Sequence, residues 1–319
     1  MRRRRTTRGV LLLLVLAVVG GNVAFWTVNL FDRLTRVAPD CGGGYPAQTP
    51  ASYGAPAGAT PQLMPGYEAV TFASRDPGIT IAAWWVPGSA PDAPAVVLAH
   101  GLHECKRATT VLFPAGLLHA HGFSVLLIDL RNEGSSTVTN GRFAGGVGEA
   151  RDILGAWDWL RHAQGIAAGR IGLFGVSLGA GASLIAAGQE PAVAAVWSDS
   201  SFADLTEVLR HQIWGAEWPP FIVDLAFTYG RLQGIELTSP SPAEMMARMG
   251  SRPVAIVHGE RDGSVPVAQA ERLISLDRAA GGQPVVWLVA DAGHTQAMYD
   301  HPAEYERRLT DFFAAALGT

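Results

Sequence analysis

Lysine is almost missing from this chain. Lys106 is the only one, and the other basic residues are arginines. Charged residues are 16% of the 319, and the formal net charge is −4. That balance gives no nucleic-acid signal. Two cysteines, Cys41 and Cys105, are too few for a disulfide framework. They form one bridge or stay as two free thiols. No internal repeat is present, and only one apolar run is long enough to span a bilayer. What remains is rich in hydrophobic residues, at 48%, and long enough for a sizeable core in one large domain or two smaller ones.

The apolar run lies near the start. Arg2, Arg3, Arg4, Arg5 and Arg8 precede 23 uncharged residues, 9–31, and only Arg33 and Arg36 follow closely. As a helix this run reaches about 34 Å, enough to cross a membrane. The arginine bias puts the amino terminus in the cytoplasm and the rest outside, with Trp26 suited to the outer interface. A signal peptide shares the charged start and apolar middle, although no clear Ala-x-Ala cleavage site follows. Both readings place the main domain outside the cytoplasm. Residues 1–37 are therefore read as an arginine-rich stub and anchor, or as a signal. Residues 38–65 alternate proline with glycine and read as a mobile linker that holds the domain off the membrane.

From residue 66 the pattern becomes regular. Residues 67–73 and 79–86 read as strands joined by the Asp76-Pro77-Gly78 turn. Continuous apolar runs at 95–100, 123–130, 170–174, 193–197, 253–258 and 285–290 read as buried strands. Helical patterns follow at 110–121, 148–163, 180–187, 267–279 and 302–317. Alternating units of this kind imply a mostly parallel sheet of about eight strands with helices on both faces. The alternation stops at about 202–250, where Trp214, Trp218, Phe221, Phe227 and Tyr229 lie and Pro219-Pro220 breaks the segment. An apolar cap there suits an acyl chain or an apolar leaving group, or simply packs onto the sheet.

Gly175-Val176-Ser177-Leu178-Gly179 sits between an apolar strand pattern and a small-residue helix pattern. Strand, sharp turn and helix form the setting of a nucleophile elbow. The flanking glycines remove collisions around a strained serine. Ser177 is the expected nucleophile.

Residues 66–319 resemble the α/β-hydrolase superfamily, most of all its serine-aminopeptidase-like and prolyl-oligopeptidase-like branch. The resemblance rests on the elbow and on three further loops, and it implies the rest of a catalytic set. His258-Gly259-Glu260-Arg261-Asp262-Gly263-Ser264-Val265-Pro266 is similar to the family's acid loop, making Asp262 the acid and Glu260 a weaker candidate. Asp291-Ala292-Gly293-His294 is similar to its base loop, making His294 the base. Separations of 85 and 32 residues keep the family's order of serine, acid and histidine. His100-Gly101-Leu102-His103 resembles the His-Gly loop. The oxyanion donors are then the backbone N–H groups of Leu178 and Leu102. His100, His103, Glu104 and Cys105 are crowded on one short loop, which argues against a metal cluster. The loop from Asp129 to Ser136 resembles a structural loop of the family and carries no catalytic assignment.

The expectation is a membrane-anchored, extracytoplasmic serine hydrolase acting on a small-molecule ester or thioester. A peptidase or amidase is the alternative, with Glu207, Glu217 or Glu236 available to hold a free amino terminus. An inactive binding protein is the third. No metal, organic cofactor or nucleic-acid partner is implied, and nothing in the sequence bears on oligomeric state.

Overall fold

The computed structural model describes residues 2–37, 39–41, 47–214 and 220–318, the side chains of 2–9, 213, 214 and 220 excepted. Residues 42–46 of the expected linker and the cap residues Glu217, Trp218 and Pro219 lie outside the described residues, as does the side chain of Trp214.

Eight strands form one sheet. They are β1 (Glu68–Ala73), β2 (Thr80–Val86), β3 (Ala95–Ala99), β4 (Ser124–Ile128), β5 (Ile171–Val176), β6 (Ala195–Asp199), β7 (Val254–Gly259) and β8 (Val285–Val289). Their spatial order is β1-β2-β4-β3-β5-β6-β7-β8. The first two are antiparallel, and the pairs from β4 onward are parallel. Strands β3 to β7 are buried along their whole length, which accounts for their continuous apolar runs. This is the α/β-hydrolase fold.

Helices cover both faces. After α1 (Arg2–Thr35), they are α2 (Thr109–Ala120), α3 (Val147–His162), α4 (Leu178–Gln189), α5 (Leu205–Trp214), α6 (Pro220–Leu232), α7 (Pro242–Met246), α8 (Ala268–Ala279), α9 (Ala297–Asp300) and α10 (Pro302–Leu317). On one face α3 buries Ile153, Leu154, Trp157 and Leu160 beside α4 and α8. On the other, α2 and α10 enclose Phe113, Trp197, Tyr305 and Phe313. A third apolar cluster joins α5, α6 and the end of α1 to the elbow.

Helix α1 is long and apolar enough over Val10–Thr35 to cross a membrane. Its last turns do something the composition did not suggest. Thr27, Leu30, Phe31 and Thr35 are buried on one stripe, and the Phe31 ring meets Tyr229 of α6 edge-on at 5.3 Å. Asp32 pairs with Arg142, whose guanidinium lies 5.0 Å above the Phe31 ring. The Phe143 N–H donates to the Thr35 carbonyl at 2.9 Å.

The expected mobile linker needs correction. Over 47–65 the chain packs on the domain. Met64 and Tyr53 are buried, the Tyr53 hydroxyl donates to the Gln62 carbonyl, and the Gln48 amide donates to the Arg107 carbonyl. Cys41 and Cys105 form a disulfide with Cα atoms 5.4 Å apart, closing a separation of 64 residues. Proline and glycine here shape a path over the surface rather than a free spacer.

Candidate active site

The chemistry gathers at the carboxyl ends of the central strands. Ser177 follows β5 and stands before α4 with φ 50° and ψ −115°, a region that L residues seldom occupy. Its N–H donates to the Asp199 carbonyl at 2.9 Å, fixing the turn to β6. The flanking glycines are required by close approach. A Cβ on Gly175 would stand 2.3 Å from the Gly179 carbonyl oxygen, and one on Gly179 would stand 2.4 Å from that of Ala99. Substituting either residue would force β3, β5 and α4 apart.

The loops after β7 and β8 bring Asp262 and His294 to this serine. His294 Nε2 lies 3.0 Å from Ser177 Oγ, and His294 Nδ1 lies 2.6 Å from Asp262 Oδ2. With Nδ1–H donating to the carboxylate, Nε2 is left to accept from the hydroxyl. Asp262 is deeply held. Its Oδ1 accepts the Ser264 and Val265 N–H groups, each at 2.8 Å, and His258 Nε2 stands 3.3 Å from Oδ2. Burial alone would raise this carboxyl. Hydrogen bonds from His258, His294 and the Val265 backbone override it and hold the group well below the usual carboxylate range. Glu260 is exposed, and Asp262 is the carboxylate that meets the imidazole.

Leu178 opens α4, where the first N–H groups have no carbonyl within the helix to donate to. Leu102 lies on the loop after β3, and a Cβ on the adjacent Gly101 would come within 3.5 Å of Ser177 Cβ. Both leucines belong to the apolar cluster under the cap. Two carboxyl groups brace the Leu102 loop. Glu104 accepts the Gly101 N–H at 2.9 Å, and Glu133 accepts the His103 N–H at 2.8 Å. His103 itself has φ 62°. His100 receives the Leu130 N–H on Nε2 and donates from Nδ1 to the Gly101 carbonyl. Burial lowers its basicity, consistent with a neutral ring. Among the described residues no cluster suited to a metal ion occurs.

Sequence reasoning missed three supports. Glu133 and Glu104 act on backbone N–H groups, which leave no pattern beyond a polar residue in a loop. Ser200 has φ 56°, and its hydroxyl donates to the buried Asp199 while accepting the Thr295 N–H at 3.0 Å. It thereby ties the base loop to β6. The polar run Ser198-Asp199-Ser200-Ser201 after an apolar strand was the available signal. A cavity of about 510 Å³ lies at the opposite, amino ends of β7 and β8. Its arginines are engaged with Glu304 or with helix carbonyls, so it is set aside.

A serine, a histidine and an aspartate in hydrogen-bonded series suit acyl transfer. The sequence profile of the prolyl oligopeptidase family matches residues 113–319, well over half of the chain. The chain belongs to the prolyl oligopeptidase family. It is therefore a hydrolase of the α/β-hydrolase fold. Among its relatives, the uncharacterized protein YfhR of Escherichia coli (strain K12) is 28% identical over 258 residues, covering 78% of this chain and 81% of that one. The uncharacterized protein Rv2307c of Mycobacterium tuberculosis is 30% identical over 234 residues, 73% of this chain and 74% of that one. Solved structures agree in fold. The esterase Pf2001 of Pyrococcus furiosus superposes with a TM-score of 0.66 at 20% identity, over 86% of this chain and all of that one. The acylaminoacyl peptidase of Pyrococcus horikoshii gives 0.59 at 17% identity, over 79% of this chain and 41% of that one.

Proposed function

We propose that the protein is a membrane-anchored, extracytoplasmic serine hydrolase that cleaves a carboxylic ester or thioester. The observation that carries this reading is the series of contacts at 2.6 and 3.0 Å from Asp262 through His294 to a strained Ser177. Ser177 Oγ attacks the acyl carbon as His294 takes its proton. His294 returns that proton to the departing alcohol or thiol, and Asp262 holds the ring in the required tautomer and stabilises its charged form. The N–H groups of Leu178 and Leu102 receive the developing oxyanion. Water, activated by the same histidine, then releases the acid.

Among the described cap residues, the two candidate glutamates favour an ester over a peptide. A peptidase that grips a free amino terminus needs available carboxylates. Glu207 is engaged by Arg272 and Gln269, and Glu236 caps its own Thr238. The family match keeps the amidase reading as the second one. Retention of α1 is supported by its burial against the cap, since a discarded signal sequence has no reason to complete a protein core. The arginines before the span and the disulfide favour an outside location for the domain. Residues 1–37 are the anchor and 66–319 the hydrolase domain with its cap at about 202–250. Residues 38–65 connect the two. Purified full-length protein and its Ser177→Ala variant, assayed on acyl esters of graded length beside aminoacyl and dipeptidyl amides, test the proposal. Ester turnover that vanishes in the variant supports it. Turnover confined to the amides would replace it with the peptidase reading.

A further inference from the structure

The anchor and the nucleophile share one apolar cluster. Leu30 and Phe31 of α1 pack with Ile222, Val223 and Phe227 of α6, and the same cluster runs on to Leu178, beside Ser177, and to Leu102. The end of α1 thus belongs to the same apolar cluster that reaches the candidate site, rather than being a remote tether.

Helix length then fixes how close the lipid comes. Residues 10–22 stand clear of the domain, and at 1.5 Å per residue they reach only about 20 Å. A hydrocarbon core is about 30 Å thick. The remaining third is filled by the turns that follow, to about residue 29, and these are turns whose inner stripe, Val23 and Thr27, already faces the protein. Their outer side carries Phe25, Trp26 and Val28, all exposed. The domain therefore begins inside the outer leaflet, and the connection offers no slack. The 34-residue helix is continuous into the cap contact, and the disulfide clips the chain again at Cys41.

Helix α6 packs against the next turn of α1, at Leu30 and Phe31, and shows an exposed apolar face of its own. Phe221, Leu225 and Leu232 are 53%, 39% and 79% exposed, at helical spacing with Thr228. The charges beside them are satisfied or able to reach the headgroups. Asp224 pairs with Arg210, and Arg231 donates to Thr228. An exposed apolar stripe next to a spanning helix is the surface that a bilayer covers.

We propose that α6 rests in the outer leaflet beside α1, and that the substrate is an ester lipid of that same bilayer. Its acyl chain lies against the apolar cluster shared by α1, the cap and the two leucine loops, with its carbonyl carbon at Ser177. The reaction is hydrolysis: the acyl–oxygen bond breaks, the alcohol leaves with the proton returned by His294, and water releases the fatty acid. This rests on the hydrolase reading above and adds the source and class of substrate.

The test compares full-length protein in phosphatidylcholine vesicles acting on dioleoylglycerol in the bilayer and on soluble p-nitrophenyl acetate. The variant carries Leu225→Asp and Leu232→Asp, both on the exposed face of α6. The expected result is a tenfold or greater fall in the ratio of bilayer-ester to soluble-ester rate. The paired Leu225→Met and Leu232→Met variant should retain the ratio. A ratio unchanged within twofold in the aspartate variant, or an equal fall in the methionine variant, would overturn the inference. Reaction of Ser177 with a fluorophosphonate in the same vesicles separates the two layers. If the serine reacts while the ratio stays fixed, the lipid source falls and the hydrolase reading stands. If the serine does not react, both fall.

Discussion

Glu133 is a carboxylic acid that folding keeps neutral. Its side chain is 2% exposed, and its Oε1 accepts the His103 N–H beside the Leu102 loop. Burial, with Glu149, Glu104 and Asp129 nearby, pushes it from an ordinary 4.5 up to about 9. In the unfolded chain the group ionises near 4.5. Between that value and about 9, unfolding therefore releases a proton, and stability falls as pH rises. At pH 7 the gap from the unfolded value is about 2.5 units, or roughly 3 kcal/mol at about 1.4 kcal/mol per unit. Glu133→Gln keeps the acceptor for His103 and has no proton to lose. The variant should match wild type near pH 4.5 and exceed it by roughly 3 kcal/mol at pH 7. For a domain of this size that is a rise of roughly 6–12 °C in unfolding temperature. Thermal unfolding of both proteins at pH 5 and pH 7.5 reads it directly. A variant less stable than wild type at pH 7.5, or a shift equal at both pH values, would show that Glu133 is ionised in the fold and would refute the reasoning.

Other perturbations reach different parts of the molecule. Asp262→Asn leaves His294 without the acceptor that sets its tautomer, so kcat on a soluble ester should fall about 10³–10⁴-fold with the fold intact; a loss under tenfold contradicts the role given to Asp262. Reducing the Cys41–Cys105 bridge frees a separation of 64 residues, and the chain-entropy cost is about 4 kcal/mol. Unfolding temperature should drop with reductant, and Cys41→Ser should make it insensitive to reductant. Phe31→Ala removes a ring packed on Tyr229 and under Arg142, at about 3–5 kcal/mol. Limited proteolysis should then cut sooner at the junction of α1 and the domain, and an unchanged rate would contradict the docking of α1.

Much of the fold is legible because buried parallel strands must be apolar throughout. The runs at 95–100 and 123–130 contain β3 and β4, and the run at 253–258 covers β7 up to His258. The loops that bring Asp262 and His294 to Ser177 are legible through their resemblance to the family's acid and base loops, each placed after an apolar strand. Four things were not. The burial of Tyr53 and Met64 is invisible in a stretch whose proline and glycine suggest a linker, since single anchors have no period. The disulfide depends on a Cα separation that only the folded path of 39–41 creates. The docked stripe of α1 is hidden because lipid and protein interior select the same side chains, so Thr27, Leu30 and Phe31 look no different from the turns before them. The braces at Glu104 and Glu133 act on backbone N–H groups, and no sequence pattern records such partners.

Covalent labelling tests the central claim most directly. Full-length protein is exposed to a fluorophosphonate at neutral pH, and the modified peptide is located by mass spectrometry. A mass increase on the peptide bearing Ser177, absent in Ser177→Ala and strongly slowed in His294→Ala, is the result expected of a serine activated through His294 and Asp262. Equal labelling of wild type and Ser177→Ala would contradict it.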